Sequence, residues 1–357
     1  MSHCSPPEPW LKFCLIPGVD DAALRKLIAC FGGIDAAAAA SVADLRQAHS
    51  PRLAEAIQAG PDPNLLVNTL GWLERPNHFL LTWMDPDYPP LLREIADAPP
   101  VLYALGHLDL LSRPSLAIIG SRHATAHGEC NAEAFAEALS NAGLTIISGL
   151  AVGIDTGAHR GGLKAQGSSI AVVGTGLDRV HPAANKALAH AIADKGLLLS
   201  EFSLGTPSVP DHLRKRNRII SGLSLGVLVA EATLHSDSLL TARLAREQGR
   251  EVFAIPGSIH SPRSRGCDVL IQQGAKLVKT ANDVLEELGW PVMPAVSGAG
   301  AGPNDALLKL MGHVPVSLDT LIAITGLTVE ALSAKLLALE GEGYVTRLPD
   351  EHYQQLF

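Results

Sequence analysis

The sequence lacks the features that define several large classes of protein. Its five cysteines form no C-x-x-C pair, and none of its fourteen histidines stands in an H-E-x-x-H spacing, so we predict no disulfide framework and no metal centre. No apolar run is long enough to cross a bilayer, and the N-terminus has no basic segment followed by an apolar one. We therefore expect a cytoplasmic protein without a membrane contact, a metal or another cofactor.

The sequence also lacks the local motifs of the common catalytic nucleophiles. It contains no G-x-S-x-G turn, no Walker A lysine motif and no catalytic cysteine context. We therefore predict no catalytic residue and no enzymatic turnover. A chain of 357 residues with 47% hydrophobic residues is nevertheless long and apolar enough for two or three domains with sizeable cores.

The net charge of −8 argues mildly against a polyanionic partner, but the charge is unevenly distributed. Residues 211–280 hold 11 Lys and Arg against 6 Asp and Glu, whereas residues 304–357 hold 3 against 7. The whole-chain value therefore hides a local basic zone. The acidic C-terminal segment is unfavourable for phosphate contact, which favours a protein-docking role for it.

From residue 115 onward, short apolar runs alternate with segments of helix length. This alternation is typical of a parallel sheet covered on both faces, so we predict an α/β fold with a Rossmann-like, doubly wound, mostly parallel sheet. A Pro/Gly-rich stretch predicts a linker, and a helix–turn–helix spacing with a terminal hairpin predicts a winged-helix-like end. The predicted parts are a helical domain (1–76), a connecting extension (77–112), the core (113–290), the linker (291–303) and the winged-helix-like domain (304–357).

Three glycine-containing loops follow predicted strands. Such loops can direct backbone N–H groups at an anion, and an arginine adds a forked donor for phosphate; a tight turn with a surface arginine would have the same pattern. Within these loops, Asp155 caps a helix more readily than it serves catalysis, and Asp155 with His159 is more readily a structural pair than a metal site. The candidate anion-binding positions are Gly120, Ser121, Arg122, Gly149, Gly153 and Gly174.

The most informative segment is the basic run from Arg214 to Arg218, which leads directly into an apolar helical stretch. Like charges anchored to a buried element are unfavourable unless an anion lies beside them, so we favour phosphate contacts over a solvated basic surface. The candidate residues here are Lys215, Arg216, Asn217 and Arg218, with Asn217 either donating to a phosphate or base, or holding the loop.

In this order and spacing the motifs resemble those of the DNA-processing protein A family (DprA, also called Smf). The resemblance covers nearly the whole chain and includes Ile119-Gly120-Ser121-Arg122, Ser148-Gly149-Leu150-Ala151, Ser200-Glu201-Phe202 and Arg216-Asn217-Arg218-Ile219-Ile220-Ser221-Gly222. It implies an N-terminal SAM-like or helix-hairpin-helix-like domain, a Rossmann-like core and a winged helix. It also implies a homodimer formed through the core, binding of single-stranded DNA, and loading of the RecA recombinase during natural transformation.

Some positions remain open. His212 stands where the family usually has an aromatic residue, and we expect it to stack on a base less strongly. We place the dimer face at Leu239 and Ile271, although ordinary core packing would also explain these residues. The alternatives to DNA binding are a nucleotide phosphoribohydrolase-like enzyme, with Glu231 as the nearest catalytic candidate, and a small-nucleotide sensor that uses the same crevice.

Overall fold

The structure, a computed structural model, describes residues 7–258, 260–291, 306–312, 314–341, 344–348 and 352–355 of the chain. Apart from residue 291, the predicted linker lies outside the described residues, as do Gly343 and residues 349–351 of the predicted wing. Within the described residues the chain forms a helical N-terminal region, a large mixed sheet flanked by helices, and a small C-terminal region of helices and strands.

The N-terminal region is a cluster of short helices with local end signals in the sequence. Asp20 begins the second helix by accepting a hydrogen bond from the Ala23 N–H at 2.8 Å, and Gly32, with φ +81°, ends it. The buried side chains of Trp10, Leu24 and Leu27 join the helices into one core. The helices are α1 (Pro7–Cys14), α2 (Asp21–Phe31), α3 (Ile34–Ala39), α4 (Val42–Ala48), α5 (Pro51–Ala59) and α6 (Pro63–Leu73).

A nine-stranded sheet forms the core, in the order β1-β2-β6-β5-β4-β3-β7-β8-β9. The strands from β6 to β9 in this order are parallel, which confirms the predicted mostly parallel α/β fold. The strands are β1 (His78–Thr82), β2 (Val101–Gly106), β3 (Ser115–Ile119), β4 (Thr145–Ser148), β5 (Ser169–Val172), β6 (Leu197–Ser200), β7 (Gly226–Val229), β8 (Glu251–Ala254) and β9 (Lys276–Leu277).

The segment 77–112, predicted as a connecting extension, contributes two strands to the sheet. Its two strands pair with each other, and β2 pairs antiparallel with β6, with Tyr103 opposite Ser200. The segment therefore extends the sheet by two strands. Its proline residues suggest an irregular connection. They lie between β1 and β2, outside the paired residues, so they leave both strands intact.

Helices cover both faces of this sheet. Alternate residues of β3 belong to two different cores, with Ala117 and Ile119 in one and Leu116 and Ile118 in the other. The helices of this region are α7 (Pro90–Arg93), α8 (Ala126–Asn141), α9 (Ile154–Leu163), α10 (Lys186–Lys195), α11 (Pro210–Gly222), α12 (Asp237–Glu247), α13 (Arg265–Gln272) and α14 (Ala281–Glu287), with 3₁₀ turns at Leu108–Ser112 and Ala183–Asn185.

The strand order reverses between β3 and β7. The chain adds β4, β5 and β6 on one side of β3, and then β7, β8 and β9 on the other. In open α/β sheets, ligands bind at such a switch point, outside the carboxyl ends of the strands. The fold therefore directs attention to the loops that follow β3 and β4.

The C-terminal region confirms the predicted winged-helix-like arrangement. Ser317 begins α16 by accepting from the Thr320 N–H at 3.2 Å, and Gly326, with φ +67°, ends it before α17. The sheet order is β10-β12-β11. The elements are α15 (Ala306–Met311), β10 (Val316–Ser317), α16 (Leu318–Thr325), α17 (Val329–Gly341), β11 (Val345–Leu348) and β12 (His352–Gln355). Among the helices of the described ranges, none has the length and apolar character needed to span a membrane.

Helices α8 and α9 approach closely through glycine. A Cβ atom on Gly161 would lie 2.8 Å from the Ala136 Cβ and 2.9 Å from the Glu137 N, whereas one on Gly71, in α6, would meet no atom within 4 Å. We expect Gly161→Ala to lower the free energy of unfolding by about 1–3 kcal/mol, because the two helices must separate. Gly71→Ala should raise it by about 0.5–1 kcal/mol, because alanine favours the helix. Denaturant unfolding measures both, and equal effects of the two substitutions would refute the close approach.

Candidate nucleic-acid interface

A cleft of about 230 Å³ opens at the carboxyl ends of β3 and β4 and is closed by α11 and α12. Five predicted site residues line it together: Gly120, Arg122, Gly149, Arg216 and Asn217. The other predicted positions in the loops and in α11 do not line the cleft: Ser121, Gly153, Gly174, His212, Lys215 and Arg218. The structure thus brings five of the predicted residues together at the switch point of the sheet.

The loop after β4 uses its own N–H groups internally. The Asp155 carboxylate accepts from the N–H groups of Gly149, at 3.1 Å, and Ala151, at 3.2 Å. The Leu150 N–H donates to the His159 Nε2 at 3.2 Å, and the opposite ring nitrogen lies 2.8 Å from the Ser169 Oγ. In this structure the N–H groups of Gly149, Leu150 and Ala151 therefore donate to buried side chains of α9, and anion binding at this loop stays a prediction.

His159 is consequently a buried, neutral imidazole. Its Nε2 accepts from a backbone N–H, so the ring hydrogen is on Nδ1. Burial, reinforced by the positive charge of Arg216, lowers the pKa of His159 to about 3. Asp155 is buried too, and burial raises its pKa despite the nearby Arg216 charge and the two backbone hydrogen bonds. Both residues hold the loop, in line with the structural interpretation of the pair.

The glycine spacing of these loops has a steric reason in this fold. A Cβ on Gly149 would lie 2.6 Å from the Arg216 guanidinium, and one on Gly120 would lie 2.6 Å from the Ile154 side chain. Gly153, with φ +80°, lies against the Ser121 carbonyl oxygen, and a Cβ on Gly174 would lie 2.9 Å from the Leu213 side chain. These glycines allow protein groups to pack closely, which differs from the predicted approach to a phosphate.

Arg216 points into the protein. Only 6% of the residue is exposed, and its Nη1 donates to the carbonyl oxygens of Gly149, at 2.7 Å, and Val172. Burial lowers the pKa of Arg216 to about 10, although Asp155 counteracts the effect. Its guanidinium therefore joins the ends of β4 and β5 and supports the cleft from beneath.

The other cations of the basic run form a carboxylate network. Arg218 makes a forked pair with Glu201 at 2.7 and 2.8 Å and reaches Asp97 at 3.0 Å. Lys215 Nζ lies 2.9 Å from Glu201 and 3.0 Å from Asp21 of α2. Carboxylates from distant parts of the sequence thus lie beside Lys215 and Arg218 in this structure, and the phosphate contacts of the basic run stay a prediction.

Two arginines remain half exposed beside the cleft. The exposed fraction of the side chain is 53% for Arg122 and 57% for Arg214. The Arg122 guanidinium pairs with Asp237, in the first turn of α12, and the Arg214 Nε lies 3.6 Å from the same carboxylate. Sequence reasoning missed Asp237 because nothing local relates α12 to the loop after β3.

Two rings stack near the start of α11. His212 lies in α11, one turn before the buried part of the helix, and Phe202 lies in the loop after β6. The His212 ring stacks on Phe202, with 4.3 Å between ring centroids and 26° between planes. The Lys215 Nζ lies 5.7 Å from the centre of the Phe202 ring. Phe202 entered the sequence argument merely as part of a motif; its partnership with His212 depends on the fold.

Glu231, the carboxylate of the alternative enzyme hypothesis, has a structural position. It accepts from the Thr125 N–H at 3.1 Å and from the Thr125 Oγ1 at 2.7 Å. Thr125 in turn caps α8 by accepting from the Gly128 N–H. Within the described ranges, no group of three or more His, Cys, Asp or Glu is arranged to hold a metal ion.

The predicted dimer residues lie in two neighbouring helices, Leu239 in α12 and Ile271 in α13. Leu239 and Ile271 are both partly buried and pack against the main core. Leu239 also borders a groove between α12 and α13, together with Leu240, Val269 and Leu270. Both residues thus have core contacts, and their role in dimerisation stays a prediction.

Comparisons with known proteins match nearly the whole chain. The family described as DNA recombination-mediator protein A matches residues 79–289, and the DprA winged helix domain matches residues 291–351. Protein Smf of Escherichia coli (strain K12) is 42% identical over 80% of this chain and 79% of its own length. Protein Smf of Synechocystis sp. is 36% identical over 97% of this chain and 98% of its own length.

Solved structures agree with these matches. DNA processing protein A from Streptococcus pneumoniae superposes with a TM-score of 0.71 at 39% identity, covering 78% of this chain and 97% of that chain. DNA processing protein A from Helicobacter pylori, described for its single-stranded DNA binding mode, superposes with a TM-score of 0.53 at 29% identity, covering 57% and 94%. The chain belongs to the DNA recombination-mediator protein A family, also known as DprA or Smf.

Proposed function

We propose that this protein binds single-stranded DNA at the cleft between the β3 loop and α11. In this proposal it acts in the cytoplasm as a homodimer, assists loading of the RecA recombinase during natural transformation, and carries out no catalytic turnover. Membership of the recombination-mediator family and the DNA-binding description of the Helicobacter pylori relative support the proposal.

The observation that carries the proposal is the position of Arg122. Its half-exposed guanidinium stands at the mouth of the cleft, on the loop after β3 and next to the switch point. A guanidinium offers forked donors that match a phosphate, and the cleft also contains the Asn217 amide. Phosphate contacts carry no sequence information, so binding should tolerate most sequences.

The basic residues then divide into two groups. Arg122, Arg214 and Lys215 are 45–57% exposed and can contact the DNA backbone without leaving a buried position. Arg216 and Arg218 are nearly fully buried, so they act as positioning residues that fix α11. The stacked Phe202 and His212 rings, close to Lys215, would offer a surface for a base.

A salt titration of single-strand binding tests the proposal. We expect Arg122→Ala to weaken binding of a labelled oligothymidylate by about tenfold and to reduce the slope of log affinity against log salt by about 0.7, the value for one phosphate contact on a single strand. Arg113→Ala is the matched control. Arg113 is 42% exposed and paired with Asp109, but it lies at the amino end of β3, whereas the cleft opens at the carboxyl end.

Three outcomes would contradict the proposal. Absence of single-strand binding by the wild type at low salt would refute DNA binding at the cleft. Saturable binding of a mononucleotide that displaces the oligothymidylate would support the small-nucleotide sensor instead. Release of a free base from a nucleoside monophosphate would support the phosphoribohydrolase hypothesis, with Glu231 as the first residue to substitute.

A further inference from the structure

The exposed cations of the cleft are already paired with one carboxylate of the protein itself. Asp237 contacts the Arg122 guanidinium through Oδ2, and its Oδ1 lies 3.6 Å from the Arg214 Nε. Asp237 therefore lies between two guanidinium groups, one from the loop after β3 and one from α11. This is the position that a phosphate oxygen would take between the same two donors.

The other cations of the basic run also have partners within the protein. Lys215 is paired with Asp21 and Glu201, and Arg218 with Glu201 and Asp97. Arg216 is buried against backbone carbonyl groups. Arg122 and each cation of the basic run thus interact with an acceptor within the protein. A phosphate that binds at the cleft must therefore compete with a carboxylate.

We propose that Asp237 is an internal competitor of the DNA phosphate and sets the affinity of the cleft for single-stranded DNA. This inference rests on the proposed function. Its side chain is 37% exposed and stands in the first turn of α12, so it can turn into solvent when a phosphate takes its place on Arg122. While paired, Asp237 cancels the charge of Arg122; when displaced, it remains close enough to repel the phosphate.

The test compares Asp237→Asn with Asp211→Asn. Both residues are acids in the first turn of a helix, so both substitutions remove one negative charge and the same interaction with the helix dipole. Asp211 is 92% exposed and lies 3.8 Å from Arg214, but Asp237 is the residue that pairs with Arg122. We expect Asp237→Asn to tighten oligothymidylate binding by about fivefold to tenfold, and Asp211→Asn by less than about twofold.

A double substitution separates local competition from a general charge effect. In the Arg122→Ala background, Asp237→Asn should lose most of its gain, because the group that it frees is absent. An equal gain for Asp237→Asn and Asp211→Asn would overturn the inference, since net charge alone would then explain it. An unchanged affinity for Asp237→Asn, with Arg122→Ala still weakening binding, would overturn the inference but leave the proposed function intact. Absence of binding by the wild type and all variants would instead refute the proposed function.

Discussion

Replacing Glu201 by alanine is expected to lower the free energy of unfolding by about 3–5 kcal/mol, the usual effect of removing one partner of a buried ion pair. The Glu201 and Arg218 side chains are 2% and 5% exposed, so the substitution would leave the Arg218 charge buried without its forked partner. Burial by itself raises the pKa of Glu201, but the hydrogen bonds and charges of Arg218 and Lys215 outweigh it and hold the pKa below its usual value. Denaturant unfolding near pH 7 measures the loss.

An exposed ion pair provides the control for this result. Glu55 lies 2.8 Å from Arg46, but both side chains are more than half exposed, so Glu55→Ala should cost less than about 1 kcal/mol. The double substitution Glu201→Leu with Arg218→Met removes both buried charges and should recover much of the lost stability. If Glu201→Ala is no more harmful than Glu55→Ala, the network does not hold α11 in place.

Acidification below pH 6.5 is expected to destabilise the protein through His159. The folded pKa of about 3 lies below the unfolded value of 6.5, so the unfolded chain binds the proton more tightly and the stabilisation is lost as pH falls. The expected loss is about 1.4 kcal/mol for each pH unit below 6.5, or about 2 kcal/mol at pH 5. Glu201 has its pKa below 4.5 and therefore contributes to acid lability at lower pH.

A variant without the imidazole isolates this effect. His159→Gln retains Asp155, whose raised pKa acts in the opposite direction, so the difference between the two stability–pH profiles reports on His159 alone. The profile of the variant should be flatter between pH 6.5 and 5. Should the variant fail to fold, an NMR titration of the wild-type imidazole gives the pKa directly, and a value near 6.5 would refute the prediction.

Much of the fold follows from short-range sequence patterns. The apolar runs of the core predict its parallel strands to within one or two residues; the run 225–231, for example, contains β7 at Gly226–Val229. This works because a strand buried on both faces must be apolar at nearly every position. The caps of α2 and α16 are likewise local, since Asp20 and Ser317 bond N–H groups three residues away.

Short-range sequence patterns predict less of the candidate site than of the fold. The sequence identifies Arg122, Asn217, Gly120 and Gly149, and the fold brings them to one cleft. The sequence does not predict which basic residues pair with carboxylates. Asp21 lies 194 positions before its partner Lys215, and Asp97 lies 121 positions before its partner Arg218. A charge run interpreted on its own therefore resembles an unbalanced basic surface.

The sequence alone determined the alternation of strands and helices, the winged-helix spacing and the family motifs, because each depends on residues that are near neighbours in the chain. The tertiary structure decided three other features: the pairing of β2 with β6, the burial of Arg216 beneath Gly149, and the contact of Asp237 with Arg122. Each of these joins segments that are far apart in sequence. Their energies depend on burial and distance in the folded chain, which local composition does not specify.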